Sequence, residues 1–150
     1  MNSLRHLKRS KPLEAFLILA VFILSFLFLS GCASKSSYEK KYELFEKTVE
    51  AYHDSLRWKY YDRASLFVDK DDLPKFEKIM ANLENNLNIT DYQIRELVLD
   101  QGEEKGISRV SVTYYKLPSV SEKTALLEEF WVIRDGKWYL DADFEEEIFR

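Results

Sequence analysis

The chain has 150 residues, 46% hydrophobic and 32% charged, with one cysteine and a net charge of −4. One cysteine excludes an intramolecular disulfide, and the acidic balance argues against a nucleic-acid partner, whose phosphates require basic patches. The averages hide a division, because residues 1–31 carry +3 and the other 119 carry −7, so charge alone gives the larger part no attraction to anionic lipid.

Arg5, Lys8, Arg9 and Lys11 precede an apolar stretch over residues 13–29 that holds one charge, Glu14. Cations, an apolar stretch and small residues at its end have the form of a secretory signal. A permanent anchor is the competing reading, but the unbroken run Ala15–Leu29 falls short of the roughly 20 residues that span a bilayer. The run ends in Leu29-Ser30-Gly31-Cys32, which resembles the lipobox of bacterial lipoproteins. The resemblance implies diacylglyceryl transfer to the Cys32 sulfur, cleavage before Cys32 and acylation, for example by palmitate, of the new amino terminus. Each methylene placed in a bilayer contributes about 0.8 kcal/mol, so two or three chains hold a protein firmly. The resemblance also places the domain outside the cytoplasm, in the cell envelope. Ala33 follows the cysteine, where Asp would favour retention at the inner membrane, so the periplasmic face of an outer membrane is expected if the organism is Gram-negative. The expected plan is a signal at 1–31, lipidated Cys32 with a short tether to residue 37, and one domain over 38–150.

Ser37 is the expected cap of a first helix. Its stripe of Tyr38, Tyr42, Phe45, Val49, Tyr52 and Leu56 recurs at spacings of four and three and predicts an amphipathic helix to about Lys59. Tyr60–Val68 reads as a second, short helix. Asp72 and Pro74 open a third, with Phe76, Ile79, Met80, Leu83 and Leu87 as its buried stripe. After Thr90 the apolar period falls to 2. Strands are expected from Tyr92 to Asp100, with a bulge at Glu96-Leu97, and around Val110, Val112 and Tyr114, after a turn at 101–106. A further strand is expected over Lys123–Arg134, then a turn at Asp135-Gly136 and a last strand over Lys137–Asp141.

Helices first and an antiparallel meander after them predict an α+β fold, with amino-terminal helices packed on a curved sheet of about four strands. The long first helix, the segment Tyr60-Tyr61-Asp62-Arg63-Ala64 and the closing hairpin Trp131-Val132-Ile133-Arg134-Asp135-Gly136-Lys137-Trp138-Tyr139-Leu140 resemble the nuclear-transport-factor-two-like superfamily. That resemblance implies a cone, often with a pocket in its wide end. Members include enzymes, binding domains and small lipoproteins, so fold alone assigns no activity.

Enzymes of that superfamily commonly place an Asp or His in the cone as acid or base. His53, beside Asp54 on the first helix, is one candidate, with a partly exposed helical histidine as the simpler reading. Asp62 is a second, against a local cap or a solvated turn. Glu129 is a third. It shares a strand face with Leu127 and Trp131, where an unpaired carboxylate is costly, and Arg109 or Arg95 is its expected partner. The simpler reading makes that face open and solvated, and Glu128 has the same ambiguity on the other face. Asp141, Asp143, Glu145, Glu146 and Glu147 read as a solvated acidic tail, since they lack the glycine-containing loop of a calcium site. No P-loop, dinucleotide fingerprint, Cys/His cluster or nucleophile elbow is present, so neither cofactor nor metal is expected. After residue 31 the aromatic residues number 18 of 119. Core packing accounts for most, and exposed ones would favour a protein partner or a glycan. The expectation is a membrane-anchored, non-enzymatic binding or assembly module, with an envelope protein, a small apolar ligand or a second copy as partner. The alternative is a small enzyme using an acid/base residue in the cone pocket.

Overall fold

The computed structural model describes residues 36–142 and 144–150. The expectations for residues 1–35, Cys32 included, and for Asp143 lie outside the described residues. Helix α1 spans Ser37–Arg57 and α2 spans Tyr61–Ala64, continued by a 3-10 turn over Ser65–Phe67. Helix α3 spans Leu73–Leu83, and the strands are β1 (Leu87–Leu99), β2 (Lys105–Lys116), β3 (Lys123–Arg134) and β4 (Lys137–Asp141). A second 3-10 turn covers Glu147–Phe149. The four strands form one antiparallel sheet in the order β1-β2-β3-β4, and the fold is α+β as expected.

Ser36 caps α1, not Ser37. Its hydroxyl accepts from the Glu39 amide while the Glu39 carboxylate accepts from the Ser36 amide, a reciprocal capping box that satisfies two otherwise orphaned donors. The buried face of α1 is wider than the expected stripe. Thr48, His53 and Ser55 lie inside with Phe45, Val49, Tyr52 and Leu56. The two hydroxyls are satisfied by Leu44 O and Ala51 O, one turn back.

Helix α3 ends at Leu83, and Leu87 belongs to β1 instead. Asn85 and Asn86 turn the chain, and Leu87 and Ile89 then alternate with polar residues at the period of a strand. The β1–β2 register shifts between Ile89 and Asp91 and again between Ile94 and Glu96, the second beside the expected bulge. β2 starts earlier than expected, taking in Gly106. This glycine serves a close approach, because a Cβ built on it would sit 2.7 Å from Phe45 Cζ. The Phe45 ring lies over it and meets Trp131 and Trp138 at 6.0 and 4.8 Å between ring centres.

The β3–β4 turn at Asp135-Gly136 has positive φ at both residues, 51° and 74°, as a type I′ hairpin requires. At the far edge Val68 forms a parallel bridge with Leu140, and the Asp69 amide donates to Leu140 O. The carboxyl-terminal residues are not a solvated tail. Phe144, Ile148 and Phe149 are buried, with Phe144 against Phe76 and Phe149. Of the charged groups between them, Glu147 pairs with Lys123 and Glu145 with Lys75 on the outside, while one carboxylate oxygen of Glu146 is buried.

Candidate functional site

The period of α1 and the pleat of β3 bring two of the candidate residues together. His53 lies one turn beyond Val49, and Glu129 lies between Leu127 and Trp131 on the inner face of β3. His53 is 1% exposed and Glu129 5%. The expected exposed histidine and solvated glutamate are therefore both corrected. His53 Nε2 lies 3.1 Å from Glu129 Oε1 and 3.2 Å from Oε2. With the carboxylate ionised, and so only accepting, the Nε2–H tautomer of His53 makes this hydrogen bond. The partner of Glu129 is His53, not Arg109 or Arg95. Arg109 lies on the outer face, where it donates to Glu128 at 2.7 Å and also to Glu96.

The pair extends across the sheet. Ser108 faces Glu129 in the β2–β3 register and its hydroxyl donates to Oε2 at 2.6 Å. Trp131 Nε1 donates to Ser108 Oγ at 3.0 Å. Both hydrogen-bonding functions of the serine are thus used. The order is His–Glu–Ser–Trp, with the carboxylate between histidine and serine, whereas nucleophile activation requires the base against the hydroxyl. Sequence reasoning missed Ser108, although it shares its parity along β2 with the inward Val110, Val112 and Tyr114.

Aromatic rings seal the network. Tyr92 stacks on His53 at 5.3 Å between ring centres, and Tyr52 meets it edge-on at 5.2 Å. The Tyr92 hydroxyl donates to Asp54 Oδ1 at 2.9 Å, which fixes the ring. Burial, then the Asp54 carboxylate that accepts its proton, push the Tyr92 phenol well above its ordinary range. Burial and the nearby Glu129 and Glu146 do the same for Tyr52, whose hydroxyl has no hydrogen-bond partner among the described residues. Both phenols stay protonated, so neither is a base near neutral pH.

Asp62 stands apart from this pair. It is exposed on α2 and lines two adjoining grooves of about 430 and 320 Å³ between α2 and α3. The outer face of the sheet leaves Leu126 63% and Phe130 51% exposed. Among the described residues no group of three or more His, Cys, Asp or Glu side chains is placed to hold a metal ion, and no helix is long and apolar enough to cross a membrane.

No protein-family profile and no curated protein matches the chain. Solved structures do. A ketosteroid isomerase-like protein from Erwinia carotovora atroseptica superposes with a TM-score of 0.55 at 11% identity, covering 67% of this chain and 90% of its own. A SEC-C motif containing protein from Rhodopseudomonas palustris superposes with a TM-score of 0.55 at 10% identity, covering 73% of this chain and 92% of its own. At such identities the likeness concerns the fold alone, and it supports a nuclear-transport-factor-two-like fold.

Proposed function

We propose that this chain is a lipid-anchored lipoprotein of the cell envelope that acts as a non-enzymatic binding or assembly module. The observation that carries the reading is Leu29-Ser30-Gly31-Cys32 at the end of the apolar stretch, with the only cysteine of the chain where the lipid would be attached. The start of α1 at Ser37 supports it. The four peptide steps from Cys32 to Ser36 reach no more than about 14 Å, so the domain would stand directly on the membrane. The saturated Ser108 and the sealed His53–Glu129 pair support a core polar network ahead of a catalytic one. The exposed Leu126 and Phe130 offer a surface to an envelope protein or a second copy.

Metabolic labelling with a palmitate analogue, followed by membrane fractionation, tests the anchor. The native chain takes up label and sediments with membranes, while Cys32→Ala loses both. Labelling of Cys32→Ala at the native level would overturn the reading. The alternative, a small enzyme using an acid/base residue in the cone pocket, has one observation in its favour, the histidine–carboxylate contact itself. It requires that contact to be reachable by substrate.

A further inference from the structure

We propose that the paired grooves between α2 and α3 form a carbohydrate-binding site, suited to a chain of neutral or amino-substituted pyranose sugars. The first groove is lined by Lys59, Tyr60, Tyr61, Asp62, Arg63 and Glu84. The second shares Tyr61, Asp62 and Glu84 and runs on past Glu77 to Met80. The shared residues make the two grooves adjoining parts of one trough.

Its chemistry is that of sugar recognition. A pyranose offers a face of C–H bonds, which packs on an aromatic ring, and a rim of hydroxyls, which pair with planar groups able to engage two neighbours at once. The trough supplies both. Tyr60 is 58% exposed and Tyr61 half-buried, with burial and then Glu84 raising the phenol so that it remains a neutral donor. Asp62, Glu77 and Glu84 are carboxylates and Arg63 a guanidinium. Asp62, Arg63 and Glu77 form no side-chain hydrogen bond or ion pair among the described residues, so their capacity is unspent. Three acidic groups against Lys59 and Arg63 leave the trough at net −1. That balance disfavours phosphorylated or uronate ligands and tolerates an amine.

The trough is also held in shape before any ligand arrives. Lys59 occupies the left-handed region at φ 58°, an uncommon conformation for a side chain that large. From there Lys59 Nζ donates to Glu84 O at 2.8 Å, tying the α1–α2 turn to the end of α3. The Tyr60 amide donates to Ser55 O at 2.8 Å and Tyr60 O accepts from the Arg63 and Ala64 amides. Preformed walls lower the ordering cost of binding.

This inference deepens the binding-module reading and takes only its envelope location from it. The test is calorimetric titration of the full chain, in a detergent without a sugar headgroup, with the β-1,4-linked N-acetylglucosamine tetramer. A galacturonate tetramer is the acidic control. The expected result is saturable binding of the N-acetylglucosamine tetramer and none of the galacturonate. Tyr60→Ala should weaken binding about tenfold and Asp62→Asn severalfold, with the thermal unfolding of both unchanged because both positions are exposed. Absence of saturable binding, equal affinity in both variants, or preference for galacturonate would overturn the inference. Lipid labelling of the native chain beside the same titration separates the two readings. Sugar binding without lipid in the native chain removes the anchor alone, and lipid without sugar binding removes the carbohydrate site alone.

Discussion

The contact between His53 and Glu129 places two polar side chains where an apolar pair of the same volume would also fit. Removing one member leaves the other buried without its partner, which costs about 3–5 kcal/mol, whereas replacing both is often close to neutral. Glu129→Leu should therefore destabilise strongly, as should His53→Leu, and the double variant should recover part of the loss, with Ser108 still lacking its acceptor. Urea denaturation of the four proteins measures this as a coupling energy. Strictly additive losses would mean that the contact contributes nothing specific. The burial of Glu129 was half legible in the sequence, since its strand face was read correctly from Leu127 and Trp131. Its partner was not, because pairing across 76 residues depends on how α1 lies on the sheet. The burial of His53 was within reach. Phe45, Val49 and His53 recur at spacings of four, and a stripe widened by one position would have included it.

The β1–β2 hairpin shows how one carboxylate closes an element. Asp100 Oδ1 accepts from the Glu104 amide at 2.8 Å and from the Lys105 amide at 3.0 Å. These two amides, Lys105 first, hold the Asp100 carboxyl below the usual aspartate range. Because the folded value is depressed, the contribution to stability is complete above the unfolded value. It is lost as pH falls through the folded one. Asp100→Asn should flatten the acid side of the stability profile, measured as urea midpoints from neutral pH down to about pH 3. An unchanged acid slope in the variant would contradict this. The same hairpin explains a boundary missed in the sequence. Two glycines read together as one turn, but only Gly102 lies in it. Gly106 is a strand residue made small by the Phe45 ring on top of it, a contact that no local pattern contains. β3 and β4 were legible to the residue, because Asp135-Gly136 fixes a two-residue turn between alternating runs.

At the scale of the whole domain, the helical layer, the sheet and the aromatic rings between them enclose the polar network. Opening it requires separating α1 from β2 and β3, which amounts to unfolding. Carbethoxylation of the native chain should accordingly modify His53 only at the rate of global unfolding, as read by peptide mass mapping with and without urea. Fast modification of His53 in the folded protein would favour the enzymatic alternative. The α+β class and strand order were legible because each follows from periodicity and turn chemistry. The seating of the carboxyl-terminal residues was not. Phe144, Ile148 and Phe149 are embedded among five acidic residues, and their burial rests on contacts distant in sequence, such as Phe144 against Phe76 of α3.

The single bridge between Val68 and Leu140 has a consequence for behaviour in a crowd. A sheet edge is a template on which a neighbouring chain can add a strand. β4 is five residues long, and one of its inward residues is already engaged by Val68, with Asp69 taking the adjacent carbonyl. At the opposite edge the two register shifts in β1 break the run of regularly spaced amides. Neither margin of the sheet offers a long, flat ladder, so many copies can stand side by side without polymerising through their backbones.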